Sequence, residues 1–231
     1  MKALVARLDA ASPRLSATVL EELYRDPFWE ARFGARGKTF AAQDGLHHLS
    51  HLAQALLAED PAILTVYARW LQSVLTSRGL CTRHLEQNFL RLAEAIAREN
   101  LPGGEEAMRY LRLAAAALEY PGGPPQELQR AALRVATRAA GVGTEREQWC
   151  QEALTQLSYL ADSVALRRSE TFSAHVTWSA AFLERRGMPR GQFDELIASL
   201  GVALRADEVL STEAKTAAAQ TLAADRNPVG A

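Results

Sequence analysis

Residues 40–80, FAAQDGLHHLSHLAQALLAEDPAILTVYARWLQSVLTSRGL, decide the fold. They read as two consecutive helices. In the first, Asp44, His47, His48 and His51 stand at i, i+3, i+4 and i+7 and so share one stripe of the helix surface. Leu46, Leu49, Leu52, Ala53 and Leu56 recur at three- and four-residue spacing and give the same helix an apolar side. The Asp60-Pro61 pair opens the second helix, because proline suits a first turn, and Gly79 behind Arg78 stops it. Three of the chain's five histidines therefore lie on two helical turns beside a carboxylate.

Outward from this stretch the chain continues as helices. Residues 12–26 carry Leu15, Val19, Leu20 and Leu23 at helical spacing. Residues 27–40, PFWEARFGARGKTF, mix aromatic rings with Arg32, Arg36, Lys38 and two glycines, which predicts a turn-rich bridge able to wall a pocket. Downstream, Leu85, Phe89, Leu92 and Ile96 mark a helix over 82–100, and an Ala- and Leu-rich helix follows over 105–119. The breaker Tyr120-Pro121-Gly122-Gly123-Pro124-Pro125 sets a boundary between halves 1–120 and 121–231. Helical patterns then cover 126–140, 145–167, 170–186 and 190–204, with a weaker one over 211–224 and a tail, 225–231, expected to fray. No segment alternates with period two, so the expected fold class is all-α, with about eight to ten helices.

Sliding the chain by 108 positions aligns Leu46 with Leu154, Leu49 with Leu157, Ser50 with Ser158, Leu52 with Leu160 and Ala53 with Ala161. The same shift matches Trp70 with Trp178, Leu75 with Leu183, Arg78-Gly79 with Arg186-Gly187 and Leu92 with Leu200. Self-similarity at a fixed period predicts a tandem duplication of a helical unit, the repeated Trp anchoring each core and the repeated Arg-Gly ending the same helix twice. The histidine stripe does not repeat. Its counterparts are Glu152, Thr155, Gln156 and Tyr159, which places the expected ligand site in the first half and gives the second a scaffold role.

Composition bounds the function. With 48% hydrophobic and 23% charged residues the chain can bury one large core or two small ones. A net charge of −1 with both signs interspersed argues against a nucleic-acid partner. Cys81 and Cys150 lie far apart without CxxC spacing, so a reducing cytoplasm is expected. The opening MKALVARLDAA has no long apolar core, and no run approaches the ~18 residues of a membrane span, so neither export nor membrane insertion is expected. No Ser or Cys sits in an elbow or glycine-rich turn, and no enzyme is expected. His47 and His51 could share a divalent ion, yet only Asp44-x-x-His47 resembles a carboxylate-histidine pair, without a second copy, so no metal site is expected. The plain alternatives are a solvated polar face for the histidines, a core stripe for Leu64, Tyr67 and Trp70, and solvated charges for Arg32, Arg36 and Lys38.

The pattern Asp44-x4-Leu49, then Asp60, Leu64 and a helix ending in Arg78-Gly79 resembles the chromophore-helix region of phycobiliproteins, the bilin-binding branch of the globins. It resembles still more the bacterial relatives associated with bilin biosynthesis. The His-His-Leu after the acidic residue and the Trp before Arg-Gly are also similar to segments preceding cobalamin-binding and other sensory domains of bacterial regulators. The resemblance covers residues 33–96 and implies a globin-like fold. It implies that Asp44 takes the place of the aspartate accepting hydrogen bonds from the bilin pyrrole nitrogens. Ala41 and Gln43 stand where that family has its linking Cys and propionate-binding Arg. A bilin of the biliverdin or phycocyanobilin type would therefore be held non-covalently, its propionates meeting Arg32, Arg36 or Lys38. His47, His48 and His51 would line the pocket, with Tyr67 and Trp70 as apolar walls. The expectation is a non-enzymatic carrier or sensor, read by a bilin-biosynthesis or signalling protein or paired as a homodimer. A haem sensor with one histidine as axial ligand and a cofactor-free interaction module are the alternatives.

Overall fold

Apolar residues at helical spacing recur along the whole chain, and the described residues, 1–143 and 145–224 of a computed structural model, contain ten α-helices and no strand. These are α1 (Lys2–Leu23), α2 (Pro27–Ala58), α3 (Ala62–Thr76), α4 (Thr82–Glu99), α5 (Gly104–Ala116), α6 (Gly123–Ala139), α7 (Arg146–Leu166), α8 (Ser169–Arg185), α9 (Arg190–Ala206) and α10 (Thr212–Ala224). The tail expected to fray lies outside the described residues. Among those residues no helix is long and apolar enough to cross a membrane.

The segment expected to form a turn-rich bridge is helical. Asp26 accepts from the Phe28 backbone N–H at 2.9 Å and Pro27 fills the first turn, so α2 starts there and runs on through the histidines. The bend that two glycines suggested is a kink within the helix, where Gly34 takes φ 59°, ψ −166°. Asp60 opens α3 in the same way, accepting from the Ala62 N–H at 2.8 Å ahead of the turn that Pro61 begins.

The chain divides into two units. The first comprises Met1–Val74 and His84–Leu118. Its α1 lies close along α2: a Cβ on Gly45 would collide with Ser16 Oγ, and that hydroxyl donates to the Ala42 carbonyl at 3.1 Å. Leu52, Leu56, Leu64, Phe89, Leu92 and Ile96 form its fully buried interior, each contributing on the order of 2 kcal/mol. Leu46, expected on the apolar side, is exposed. Successive helical residues are 100° apart, and that angle carries Leu46 out of the face held by Leu49, Leu52 and Leu56.

The second unit joins Leu75–Arg83 to the chain from Glu119 onward. Leu128, Val135, Leu157, Leu160, Phe172, Phe193 and Leu200 pack its core, and Cys81 is buried among them. The short segment is held by α7. The Tyr159 hydroxyl donates to the Gly79 carbonyl at 2.9 Å, and Ser158 Oγ accepts from the Arg83 N–H at 3.0 Å. Asp162 accepts from the Thr82 N–H (2.7 Å), the Thr82 hydroxyl (2.6 Å) and the Tyr120 hydroxyl (2.8 Å).

Several features recur 108 positions apart. The helices α2 and α7 both stop on a left-handed cap, Glu59 and Arg167, each at φ 54°. Gly79 and Gly187 follow α3 and α8 with φ 91° and 85°. The helices α4 and α9 start at Thr82 and Arg190, and α5 and α10 start and end in register.

Candidate functional site

The helical period separates the histidine stripe into two layers. His48 points into the first unit's core, 1% exposed, with ring centroids 5.7 Å from Tyr67 and 5.0 Å from Phe89, while His47 is exposed and His51 is half-buried. Burial, reinforced by the neighbouring His51 and His47, pushes the His48 imidazolium pKa down to about 3, so the ring is neutral. With its proton on Nε2, His48 accepts from the Tyr67 hydroxyl at Nδ1, 2.8 Å away. Burial and then the charge of Asp44 push the Tyr67 phenol well above its ordinary value, which keeps that donor protonated and puts Asp44 within electrostatic reach of it.

His51 lies flat on the other side of this pair. Its ring stacks on Tyr67 with centroids 3.8 Å apart and planes 11° from parallel. Its Nδ1–H donates to the His47 carbonyl at 2.9 Å, which fixes the ring and, in the neutral form, leaves a lone pair on Nε2. Trp70 follows one turn along α3, 6.0 Å from Tyr67, and is 58% exposed. It is not the core anchor that its repetition suggested. The helix turns Leu64 and Tyr67 inward and leaves Trp70 at the outer edge of the ring series.

His48, His51, Tyr67 and Trp70 thus meet on α2 and α3, with the half-buried Asp44 one turn before His48 on α2. The cations of α2 have other company: the Arg36 guanidinium lies over the Phe40 ring at 5.4 Å and the Lys38 ammonium over the Tyr24 ring at 5.2 Å, while Arg32 is half-buried. Residues 27–33 build a separate aromatic group in the first unit, in which Phe28 and Trp29 flank the buried His84 at 4.9 and 5.0 Å. Among the described residues no three His, Cys, Asp or Glu side chains are placed to hold a metal ion.

The second unit has a ring stack on α7 and α8 that matching identical residues does not reveal. Tyr159 stacks on His175 with centroids 3.4 Å apart and planes 15° from parallel. These positions lie 108 beyond His51 and Tyr67, so the two ring types have changed places. The signal lay in the columns of the shift where residues differ. Gln156, 108 beyond His48, is fully buried; its Nε2 donates to the Glu152 carboxylate at 2.7 Å and lies 3.2 Å from His175 Nε2, while its Oε1 accepts no hydrogen bond.

No known family model, curated protein or solved structure matches this chain.

Proposed function

We propose that the protein is a non-enzymatic binder of a linear tetrapyrrole, held non-covalently on the α2–α3 face of the first unit. The observation that carries this reading is the stacked His51–Tyr67 pair, whose series ends in the exposed Trp70, on the helix stripe that also carries the half-buried carboxylate of Asp44. Flat rings in series present π faces to a planar conjugated ligand, and a half-buried carboxylate accepts from N–H donors more strongly than water does. The globin-like form and the cytoplasmic setting belong to the same reading, the latter supported by Cys81 and Cys150, which form no disulfide among the described residues. So does descent from a duplicated helical unit, supported by the left-handed caps, the positive-φ glycines and the helix limits that recur 108 positions apart.

The test is the visible spectrum of protein co-produced with bilin-forming enzymes. A long-wavelength bilin band that survives gel filtration and is weakened or shifted by Asp44→Ala is the expected result. Unchanged spectrum and affinity in that variant would remove Asp44 from the site, and colourless protein would leave the interaction-module alternative in its place. A second reading has its own observation: His51 is oriented through Nδ1, with Nε2 able to ligate an iron, as axial histidines are. A Soret band that shifts on His51→Ala favours haem.

A further inference from the structure

We infer that the second unit carries a ligand site of its own, on α7 and α8, for a planar conjugated molecule with N–H donors at one end and an anionic group at the other. For its ligand class this inference rests on the tetrapyrrole reading; the site itself rests on the second unit's own side chains. Four observations meet there.

The first is the buried acceptor. Gln156 has no exposed surface, its amide N–H groups are engaged by Glu152 and face His175, and its carbonyl oxygen receives nothing. A buried amide oxygen without a donor is destabilising, and an N–H-bearing ligand relieves that. The second is the carboxylate of Glu152, at the position 108 beyond Asp44. It holds the amide of Gln156 in the orientation that turns Oε1 away from the carboxylate.

The third is a run of near-parallel rings. From the buried Tyr159–His175 stack it continues along α8 to Trp178, 6.4 Å from His175 and 23° from parallel, and to Phe182, 4.9 Å from Trp178 and 12° from parallel. Trp178 and Phe182 are only half-buried, so the ring run reaches the protein's surface along α8. The fourth is the cation closing the run. The Arg186 guanidinium lies over the Phe182 ring at 5.4 Å and is exposed, leaving its N–H groups able to meet a carboxylate. Acceptors therefore stand at one end of the ring run and a cation at the other, about three helical turns apart.

The polar end differs from that of the first unit. There the buried position offers His48, already satisfied by Tyr67, whereas here it offers an acceptor still to be satisfied. The two sites should therefore respond to different substitutions.

The experiment titrates pigment-free full-length protein with biliverdin, which has pyrrole N–H groups and propionates, and reads binding stoichiometry by equilibrium dialysis. Variants are Asp44→Ala for the first unit and Gln156→Leu and Trp178→Ala for the second, each checked for native helicity by circular dichroism. Two equivalents per chain are expected, one weakened about tenfold or more by Gln156→Leu and by Trp178→Ala and the other by Asp44→Ala. One equivalent, lost in Asp44→Ala and untouched by both second-unit variants, overturns the second site and leaves the first standing. One equivalent, lost in Trp178→Ala and untouched by Asp44→Ala, supports the second site and overturns the first. No binding overturns both. Trp178→Ala keeps the buried network intact, so it decides the matter even if Gln156→Leu does not fold.

Discussion

The two units answer one packing problem with exchanged residues. In the first, a histidine from α2 lies on a tyrosine from α3; in the second, a tyrosine from α7 lies on a histidine from α8. The stack requires one flat ring with a polar edge from each helix and is indifferent to which helix supplies which. The buried position beneath it is less tolerant. His48 is closed off by the Tyr67 hydroxyl, whereas Gln156 draws on Glu152, His175 and Ser179 and keeps one acceptor open. Shape is shared by the two regions, and chemistry divides them.

Acidification tests this contrast most severely, because the units respond with opposite sign. Folded His48 stays neutral down to about pH 3, while an unfolded histidine takes its proton near 6.5. Its contribution is whole above pH 6.5 and is lost as pH falls toward 3, at most about 5 kcal/mol. Burial instead pushes the Asp162 carboxyl up to about 6 from 3.8, outweighing the donors from Thr82 and Tyr120. The folded state there takes its proton first, so acidification between pH 6 and 3.8 stabilises by up to about 3 kcal/mol. Between about pH 6 and 4 the two contributions offset each other, so His48→Gln should leave a stability that rises on acidification and Asp162→Asn one that falls, as read by denaturation at a series of pH values. Equal slopes in all three chains would break the contrast.

Tyr67→Phe sharpens it. The stack remains, but His48 Nδ1 loses its donor, and a loss of roughly 1–2 kcal/mol in unfolding free energy is expected. The smallest effect comes from the repeated tryptophans. Trp70→Ala, on a largely exposed ring, should change stability by less than about 0.5 kcal/mol, whereas Trp178→Ala, which removes a ring stacked on Phe182, should cost about 1 kcal/mol more. The same thermal or chemical unfolding series reads both, and equal losses would mean that the two rings are equivalent after all.

Much of the helical plan was legible. The Asp60-Pro61 start, the Arg-Gly stops and the three- and four-residue spacing of leucines are local signals with local causes. The Asp26-Pro27 pair carried the same start signal as Asp60-Pro61, yet Gly34 and Gly37 outweighed it, because a glycine that bends a helix is written no differently from one that ends it. Spacing brought Asp44, His47, His48 and His51 together but could not say which imidazole faces inward. Nor could it show that Trp70 lies outside the core, since identical residues at matching positions carry no record of burial. The exchange of His and Tyr between the units was hidden for the opposite reason: comparison by identity passes over a pair whose members have traded places.

The hold that α7 keeps on residues 75–83 also has a dimension in time. Gly79 and Thr82 are translated 80 positions before the Tyr159 and Asp162 that bind them. The second unit cannot be finished from newly made chain alone; it must recover a piece synthesised long before. A fragment beginning at Glu119 lacks Cys81 for its core and Thr82 for the buried Asp162, and is expected to stay largely unfolded by circular dichroism until a peptide spanning residues 75–83 is supplied.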